Sequence, residues 1–310
     1  MKPTRIFFSL LLLPRCLLAY EPEEWTANDD QLILQDVPRI PEDLVKRLNR
    51  YQNVRSASLL DWADNGEGIY IRTRFGELSQ VHLVREPGGV RRQLTWFPEP
   101  IGQVIRRGDR PELSITMDEG GGEQDQIFLF DPRSAKTVRL TDGESRNRLA
   151  RWSRDGKKMA FQSTRRNGRS NDLWWMEPGR ADSAELLLEA PDGSWFGPVD
   201  FNRNGRLLLV QQFISVDDSR IYILDLEERD LYLVAGSSET PSANKAISFD
   251  DEGTGFYFIT NVRGRAAELA RLSPGEDAQI EFLTQDSPWD VTDFAVSEDG
   301  KRGAFVTNED

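Results

Sequence analysis

A repeated turn constrains the fold of this chain more than any other feature. Each copy ends in a glycine that follows Asp, Asn or Glu in most repeats, and an aromatic residue usually opens the motif, as in Trp152-Ser-Arg-Asp-Gly156. Successive glycines stand 42, 48, 49, 48 and 47 residues apart, a period that unrelated turns would not keep. The motif glycines are Gly66, Gly108, Gly156, Gly205, Gly253 and Gly300.

The segments between these turns follow one pattern. A short strand ends at the turn, a second strand such as 158–163 leaves it, and a third and a fourth follow after polar loops. The periodicity within each unit is near two and is rich in aromatic and β-branched residues, which excludes helical repeats. Four short antiparallel strands per unit are typical of a β-propeller blade. The sequence therefore predicts an all-β propeller over residues 59–310, with about five blades plus a partial one.

The last repeat is predicted to be incomplete. It contains the turn at Asp299-Gly300 and a second strand at 303–307, but no third strand follows before Asp310. Since closed propellers leave no exposed strand edges, this pattern favours a fragment of a longer protein. Closure by the N-terminal segment or by a second chain is the alternative.

The first 19 residues have the pattern of a secretory signal peptide. Lys2 and Arg5 precede an uncharged apolar run at 6–13, and cleavage is predicted after Ala19. The run is too short to span a bilayer, although a non-cleaved anchor is the alternative. We therefore expect a periplasmic or secreted protein that is free of the membrane after cleavage.

Residues 20–58 are predicted to form an N-terminal extension with one short helix. Pro41 suits the first helical position, and Glu42 and Asp43 suit the positive end of the helix dipole. One face of this helix is apolar, formed by Leu44, Val45, Leu48 and Tyr51.

Composition excludes several classes of function. The chain of 310 residues carries 39 Lys+Arg and 52 Asp+Glu, and 39 − 52 gives a net charge of −13, which argues against nucleic-acid binding. With one Cys and one His, neither a disulfide nor a Cys/His zinc site can form within the chain. A Ser-His-Asp triad would have to use His82, which lies in a predicted strand. The sequence has no nucleophile elbow and no phosphate-binding glycine loop, so no catalytic residue, cofactor or metal is predicted.

Two loops carry clustered charge. Asp118, Glu119 and Glu123 surround three glycines in the second blade, and they could hold a ligand's amino group or a cation such as Ca²⁺. A long solvated hairpin loop is the alternative. Arg165 and Arg166 occupy the equivalent loop of the next blade, where they could pair with the acidic loop, recognise a carboxylate, or form a solvated turn.

Two aromatic pairs also allow two interpretations. Trp174-Trp175 and Trp195-Phe196 could form a platform on which a ligand stacks. Alternation along a strand places Trp174 and Trp175 on opposite faces, and each blade packs against both neighbours, so we interpret them as core residues.

Several strings, taken together, resemble one family. The chain from about residue 36 onward resembles the N-terminal β-propeller of secreted bacterial serine peptidases of the prolyl oligopeptidase family, including acylaminoacyl-peptidase-like and dipeptidyl-peptidase-like members. The strings that carry the resemblance are 50–58, 73–76, 92–100, 118–123, 140–147, 152–156 and 163–168.

That resemblance implies a function. In such peptidases the propeller precedes an α/β-hydrolase domain that bears Ser, Asp and His, and it caps the active site and restricts substrates to peptides and small acyl compounds. The resemblance implies a hydrolase domain as partner and a substrate-facing role for the acidic loop, although no residue here matches the catalytic ones. Because the turn strings are shared with TolB-like propellers, a stand-alone periplasmic propeller that binds a protein or small ligand is the alternative.

Overall fold

The computed structural model describes residues 21–63, 66–180, 183–191, 194–275, 278–297 and 300–309. The predicted signal peptide at 1–19 lies outside the described residues. The chain divides after Val54 into two compact units, each with its own architecture.

The N-terminal unit contains a hairpin and a helix. The indole Nε1 of Trp25 donates to the carbonyl oxygen of Val37 at 2.7 Å, and the Arg39 guanidinium lies 4.9 Å from the indole centre. The helix begins directly after Pro41, and none of its residues is buried. The elements are β1 (Glu24–Ala27), β2 (Leu32–Gln35) and α1 (Glu42–Gln52).

The second unit confirms the predicted propeller. It consists of five four-stranded antiparallel sheets, here called blades 1 to 5, and a two-stranded hairpin, here called blade 6. Blades 1 and 2 comprise β3 (Ser58–Trp62), β4 (Ile69–Thr73), β5 (Gln80–Val84), β6 (Arg92–Gln93), β7 (Ile101–Arg106), β8 (Leu113–Met117), β9 (Gln126–Phe130) and β10 (Thr137–Arg139). Blades 3 and 4 comprise β11 (Asn147–Trp152), β12 (Met159–Ser163), β13 (Asp172–Met176), β14 (Glu185–Leu188), β15 (Trp195–Phe201), β16 (Leu207–Ser215), β17 (Asp218–Asp225) and β18 (Leu231–Ala235). Blades 5 and 6 comprise β19 (Asn244–Phe249), β20 (Phe256–Thr260), β21 (Glu268–Leu272), β22 (Ile280–Phe282), β23 (Asp290–Val296) and β24 (Gly303–Asn308).

Strand order gives the propeller two different faces. In each complete blade the four strands lie side by side in chain order, and the first strand contacts the first strand of the next blade. Since neighbouring strands are antiparallel, the loops after the second and fourth strands share one face, here called the entry face. The turns after the first and third strands share the opposite face, here called the turn face. The chain enters blade 1 from the entry face, at Ser58.

The hydrophobic core lies between blades rather than within any one of them. Every residue of β8 and of β12 is buried, because both faces of these strands pack against neighbouring sheets. One core cluster joins Tyr70 and Val81 of blade 1 to Leu113 and Ile115 of blade 2. Similar clusters join the later blades, so each blade depends on its neighbours for burial of apolar surface.

A buried polar latch closes blade 2 near the entry face. The first residue of its third strand is Gln126, whose Oε1 accepts hydrogen bonds from Thr141 Oγ1 at 2.7 Å and from the Gly143 amide at 2.9 Å. Thr141 Oγ1 in turn accepts the Ile127 amide at 3.0 Å. Blade 1 repeats the arrangement with Gln80 and Thr95. These bonds satisfy polar groups that burial would otherwise penalise.

All six motif glycines adopt positive φ, as the turn prediction requires: Gly66, Gly108, Gly156, Gly205, Gly253 and Gly300. Gly108 has the tightest surroundings. A Cβ at this position would lie 2.2 Å from the carbonyl oxygen of Arg154 in blade 3. The Asp109 amide donates to that same oxygen at 2.8 Å, so this turn forms part of the contact between blades 2 and 3.

Blade 4 differs from its predicted form. The sequence predicts strands at 207–212 and 220–225, whereas β16 and β17 extend to Ser215 and begin at Asp218. Phe213 stacks on Trp195 with ring centres 5.4 Å apart, which supports the extra length of the hairpin. The pattern does not show this extension because the support comes from a residue on another strand.

The latch predicts a specific loss of stability. Thr141→Val removes the hydroxyl and leaves the buried Ile127 amide without an acceptor, so the free energy of unfolding should fall by about 1–3 kcal/mol. Thr137→Val makes the same change at an exposed position of β10 and should cost much less. Urea unfolding of both variants measures the difference, and equal losses would contradict the role of the latch.

The Gly108 turn predicts a second contrast between matched substitutions. Gly168→Ala places a Cβ where nothing lies within 4 Å, at φ +74°, and should cost about 1–2 kcal/mol from the left-handed backbone alone. Gly108→Ala adds a clash with backbone atoms of the next blade and should cost about 1–3 kcal/mol more. Thermal and urea unfolding compare the two variants, and a smaller loss for Gly108→Ala would refute the inter-blade contact.

Candidate functional site: the entry-face loops and the axial cavity

The acidic loop at 118–125 is held by its own backbone. Asp118 Oδ1 accepts the amides of Glu119 at 2.9 Å and Gln124 at 3.2 Å, while Oδ2 accepts the amide of Glu123 at 3.2 Å. Glu119 forms an ion pair with Arg139 at 3.0 Å. Asp118 and Glu119 therefore shape the loop rather than remain available for a ligand.

Glu123, like Glu119, has an exposed side chain. It adopts a left-handed backbone with φ 58°, next to Gly120 and Gly121, which also have positive φ. Its carboxylate forms no ion pair with any residue that the structure describes, whereas Asp125 pairs with Arg148. Across the described ranges, no group of three or more His, Cys, Asp or Glu side chains is placed to hold a metal ion.

The basic loop at 164–171 contributes to the contacts that hold its blade. Arg166 donates to both oxygens of the buried Asp172, at 2.7 and 3.0 Å, and also pairs with Glu189 at 3.2 Å. Arg165 pairs with Asp142, in the loop that enters blade 3, at 3.3 Å. Both arginines are thus partly used by carboxylates of the propeller itself.

The aromatic pairs lie mainly within the packing. Trp174 packs against the core cluster between blades 2 and 3, with the Arg165 guanidinium 5.2 Å from its ring centre. Trp175 donates its Nε1 to Glu185 at 2.8 Å. Phe196 is buried, and Trp195 stacks on the blade 4 hairpin. This arrangement agrees with their interpretation as packing residues.

His82 lies in the middle of β5 and is fully buried. Its Nδ1 lies 3.1 Å from the carbonyl oxygen of Gln80, and Phe75 packs against the ring edge at 4.8 Å between centres. Burial lowers the pKa of His82, so the ring is neutral at pH 7. The single histidine of the sequence therefore lies in the packing of blade 1 and does not line the cavity.

An axial cavity opens where the first strands of all six blades converge. Its volume is about 730 Å³, and it lies at the ends of these strands near the turn face. One equivalent position on the first strand of each complete blade lines the cavity, here called the ring position. The ring residues are Asp61, Ile105, Arg151, Asp200 and Ser248.

Three ring residues bind their blade to the next one. Asp200 Oδ2 accepts the Phe249 amide of blade 5 at 2.9 Å, and Asp61 uses the same geometry toward blade 2. Arg151 Nε donates to the carbonyl oxygen of Val199 in blade 4 at 2.8 Å. Polar side chains on the channel wall thus hold adjacent first strands together.

Burial disfavours the charged forms of two ring residues, Arg151 and Asp200. Burial raises the pKa of Asp200 to about 6, against the opposing effects of the Phe249 amide and the Arg151 charge. Burial also lowers the pKa of Arg151, against the attraction of Asp200. Neither side chain forms an ion pair with any described residue. Sequence analysis did not single out this position, although a charged residue directly before the motif aromatic, as in Arg151-Trp152 and Asp200-Phe201, was a visible signal.

No helix in the described part of the chain has the length and apolar character needed to cross a membrane.

The raised pKa of Asp200 predicts an unusual pH dependence of stability. Because the folded pKa lies above the ordinary value of 3.8, the folded state holds the proton more tightly than the unfolded state. This contribution to stability is complete below the ordinary value and is lost as the pH rises through about 6. Asp200→Asn keeps an acceptor for the Phe249 amide but cannot ionise. Its free energy of unfolding, relative to that of the wild type, should therefore increase as the pH rises from 4.5 to 7.5.

Urea unfolding at both pH values measures this gain. Asp217→Asn removes an exposed carboxylate of the same blade and should show little change of this kind. If the free energies of unfolding of Asp200→Asn and the wild type differed by the same amount at both pH values, this would contradict the shifted pKa.

Comparison with known proteins gives one family and several related folds. Residues 108–284 match the family described as prolyl oligopeptidase, N-terminal beta-propeller domain. A comparison with curated protein sequences finds no significant match.

Among solved structures, the chain is similar to a protein from a study of two prolyl endopeptidases and their inter-domain dynamics, with a TM-score of 0.66 and 12% identity over 82% of this chain and 40% of that one. It is also similar to prolyl oligopeptidase B from Galerina marginata bound to a 35mer substrate, with a TM-score of 0.59 and 10% identity over 89% of this chain and 48% of that one. TolB from Acinetobacter baumannii gives a TM-score of 0.52 and 15% identity over 85% of this chain and 60% of that one.

The chain thus spans between 40% and 60% of these structures. At such low identities they establish the fold alone, whereas the family match covers more than half of the chain. The chain belongs to the prolyl oligopeptidase N-terminal β-propeller family.

Proposed function

We propose that this propeller is the non-catalytic lid and size filter of a prolyl oligopeptidase-family serine peptidase that acts on peptides. Its partner in this proposal is an α/β-hydrolase domain that carries the catalytic residues. Family membership is the observation that carries the proposal. The buried position of His82 agrees with it, since the chain holds no other histidine for a triad.

The entry face is the surface we assign to the hydrolase domain and the substrate. The chain enters the propeller from this face, and loops of blades 1, 4 and 5 display apolar side chains there. Trp96 is 72% exposed and Val216 is 78% exposed, and Phe75 and Trp289 are also exposed. Exposed aromatic residues are enriched where a partner docks, which supports this assignment, and the turn face also exposes Trp62 and Val90.

The charged loops of the entry face supply the recognition groups in this proposal. Glu123 has a free, exposed carboxylate suited to a peptide's amino group. Asp118 and Glu119 hold the loop in place, and Arg165 and Arg166 fix the neighbouring loop through their carboxylate partners. We therefore assign direct contact to Glu123 and supporting roles to the other four residues.

The axial cavity supports a role in size selection. Its volume of about 730 Å³ accommodates a short peptide, whereas even a 100-residue folded domain has a radius of gyration of about 13 Å. Access through the propeller would therefore admit peptides and exclude folded proteins. We also propose export to the periplasm or the medium through the predicted signal peptide, which N-terminal sequencing of the mature protein tests.

A serine-directed probe tests the proposed function. The purified 310-residue chain should neither react with a fluorophosphonate nor hydrolyse an acylaminoacyl chromogenic substrate. Protein captured from the source cells with an antibody to the propeller should carry a fluorophosphonate-reactive serine in the same polypeptide or in a bound one. Captured protein without such a serine would contradict the proposal and favour a stand-alone, TolB-like propeller.

The recognition role of Glu123 has its own test in the captured, active protein. Glu123→Gln should raise KM for peptides with a free amino terminus by about tenfold, while kcat and the KM of N-acetylated peptides stay unchanged. Glu252→Gln removes an exposed carboxylate from the turn face and should leave all of these values unchanged. An equal effect of Glu123→Gln on free and acetylated peptides would exclude this role.

A further inference from the structure

Arg151 and Asp200 carry charges for which the described part of the propeller provides no ion-pair partner. They occupy neighbouring ring positions on β11 and β15, and both line the axial cavity. A charge in a desolvating environment is normally paired, because its lost hydration must be offset. Arg151 donates to the carbonyl oxygens of Val199 in the next blade and of Ala150 in its own strand, and Asp200 accepts the Phe249 amide. Neither side chain has an ion-pair partner among the described residues.

Other charges near the mouth of the same cavity are arranged differently. Arg154 pairs with Asp109 at 3.6 Å, and Arg203 pairs with Asp251 at 3.1 Å. These exposed pairs join the turns of neighbouring blades and neutralise one another. In contrast, the charges of Arg151 and Asp200 lie where the cavity wall is less exposed to solvent, and they remain available to a ligand.

A third polar group at the same level also lacks a partner. The hydroxyl oxygen of Ser248, the ring residue of blade 5, is buried and makes no hydrogen bond within the described part of the chain. Three consecutive blades thus contribute a cation, an anion and a hydroxyl to one stretch of wall.

We propose that this stretch of the axial cavity binds a short peptide by its two free termini. Arg151 binds the terminal carboxylate, Asp200 binds the terminal ammonium group, and Ser248 donates to or accepts from the peptide backbone. A ligand with charges of both signs pairs with both of these partly buried side chains at once, which a simple anion or cation does not. The inference deepens the proposed function and depends on it for the choice of peptides as the ligand class.

The size of the cavity favours a peptide over a single amino acid. Arg151 and Asp200 form no ion pair with each other, and a peptide carries its two terminal charges at least one peptide unit apart. Each added residue lengthens an extended chain by up to about 3.6 Å. The cavity volume of about 730 Å³ leaves room for several residues.

Isothermal titration calorimetry of the full chain with three dipeptides tests this site. Dialanine should bind at least about tenfold more tightly than N-acetyl-dialanine and than dialanine amide, each of which lacks one terminal charge. Wild-type selectivity alone decides the question, so the test does not depend on any variant folding. Equal binding of all three, selectivity for only one terminus, or no binding would overturn the proposal.

Variants assign the two ends of the peptide. Asp200→Asn should remove the preference for dialanine over its acetylated form, and Arg151→Gln should remove the preference over the amide. Arg203→Gln changes an exposed pair at the mouth of the cavity and should leave both preferences intact. Loss of both preferences in Arg203→Gln would contradict the assignment. Because no hydrolysis is involved, failure here leaves the fluorophosphonate result unaffected, and the converse also holds.

Discussion

The structure depends on one constraint, namely that each four-stranded blade has two apolar faces and cannot bury either of them alone. Phe161 of blade 3 and Phe258 of blade 5 are almost completely buried, yet each lies in a sheet only four strands wide. Burial requires a neighbour on each side, and adjacent neighbours supply it through clusters that span pairs of blades. The repeat length follows from this requirement, since every unit must deliver the same four strands to the same place.

Polar groups make that stacking specific. Apolar surfaces alone would allow neighbouring sheets to slide, whereas hydrogen bonds with fixed donors and acceptors set one alignment. Gln80 and Gln126 fix the third and fourth strands of their blades near the entry face. Asp61 and Asp200 fix the first strand of the following blade near the turn face. Blade 1, which has both kinds of contact, is therefore aligned near both of its ends.

Much of this architecture could be predicted from the sequence, because local pattern and global fold agree. The glycine period gave the number of blades, since a tight turn with positive φ must recur wherever the first strand ends. The hairpin extension to Ser215 was not predictable, because its support comes from Trp195 on a different strand. The partners of Arg166 were also hidden, since a charged loop gives no indication that its charge is already used by Asp172. Arg151 and Asp200 share one position in the repeat, but the repeat does not show that neighbouring blades turn this position toward the axial cavity.

Asp200 serves two purposes with one carboxylate, and this has a mechanical consequence. One oxygen holds the Phe249 amide across the boundary between blades 4 and 5, while the same group faces the axial cavity. A force that draws the carboxylate toward the axis also acts on the hydrogen bond that joins those two blades. The width of the axial cavity and the strength of the contact between blades 4 and 5 are therefore coupled through the Asp200 side chain.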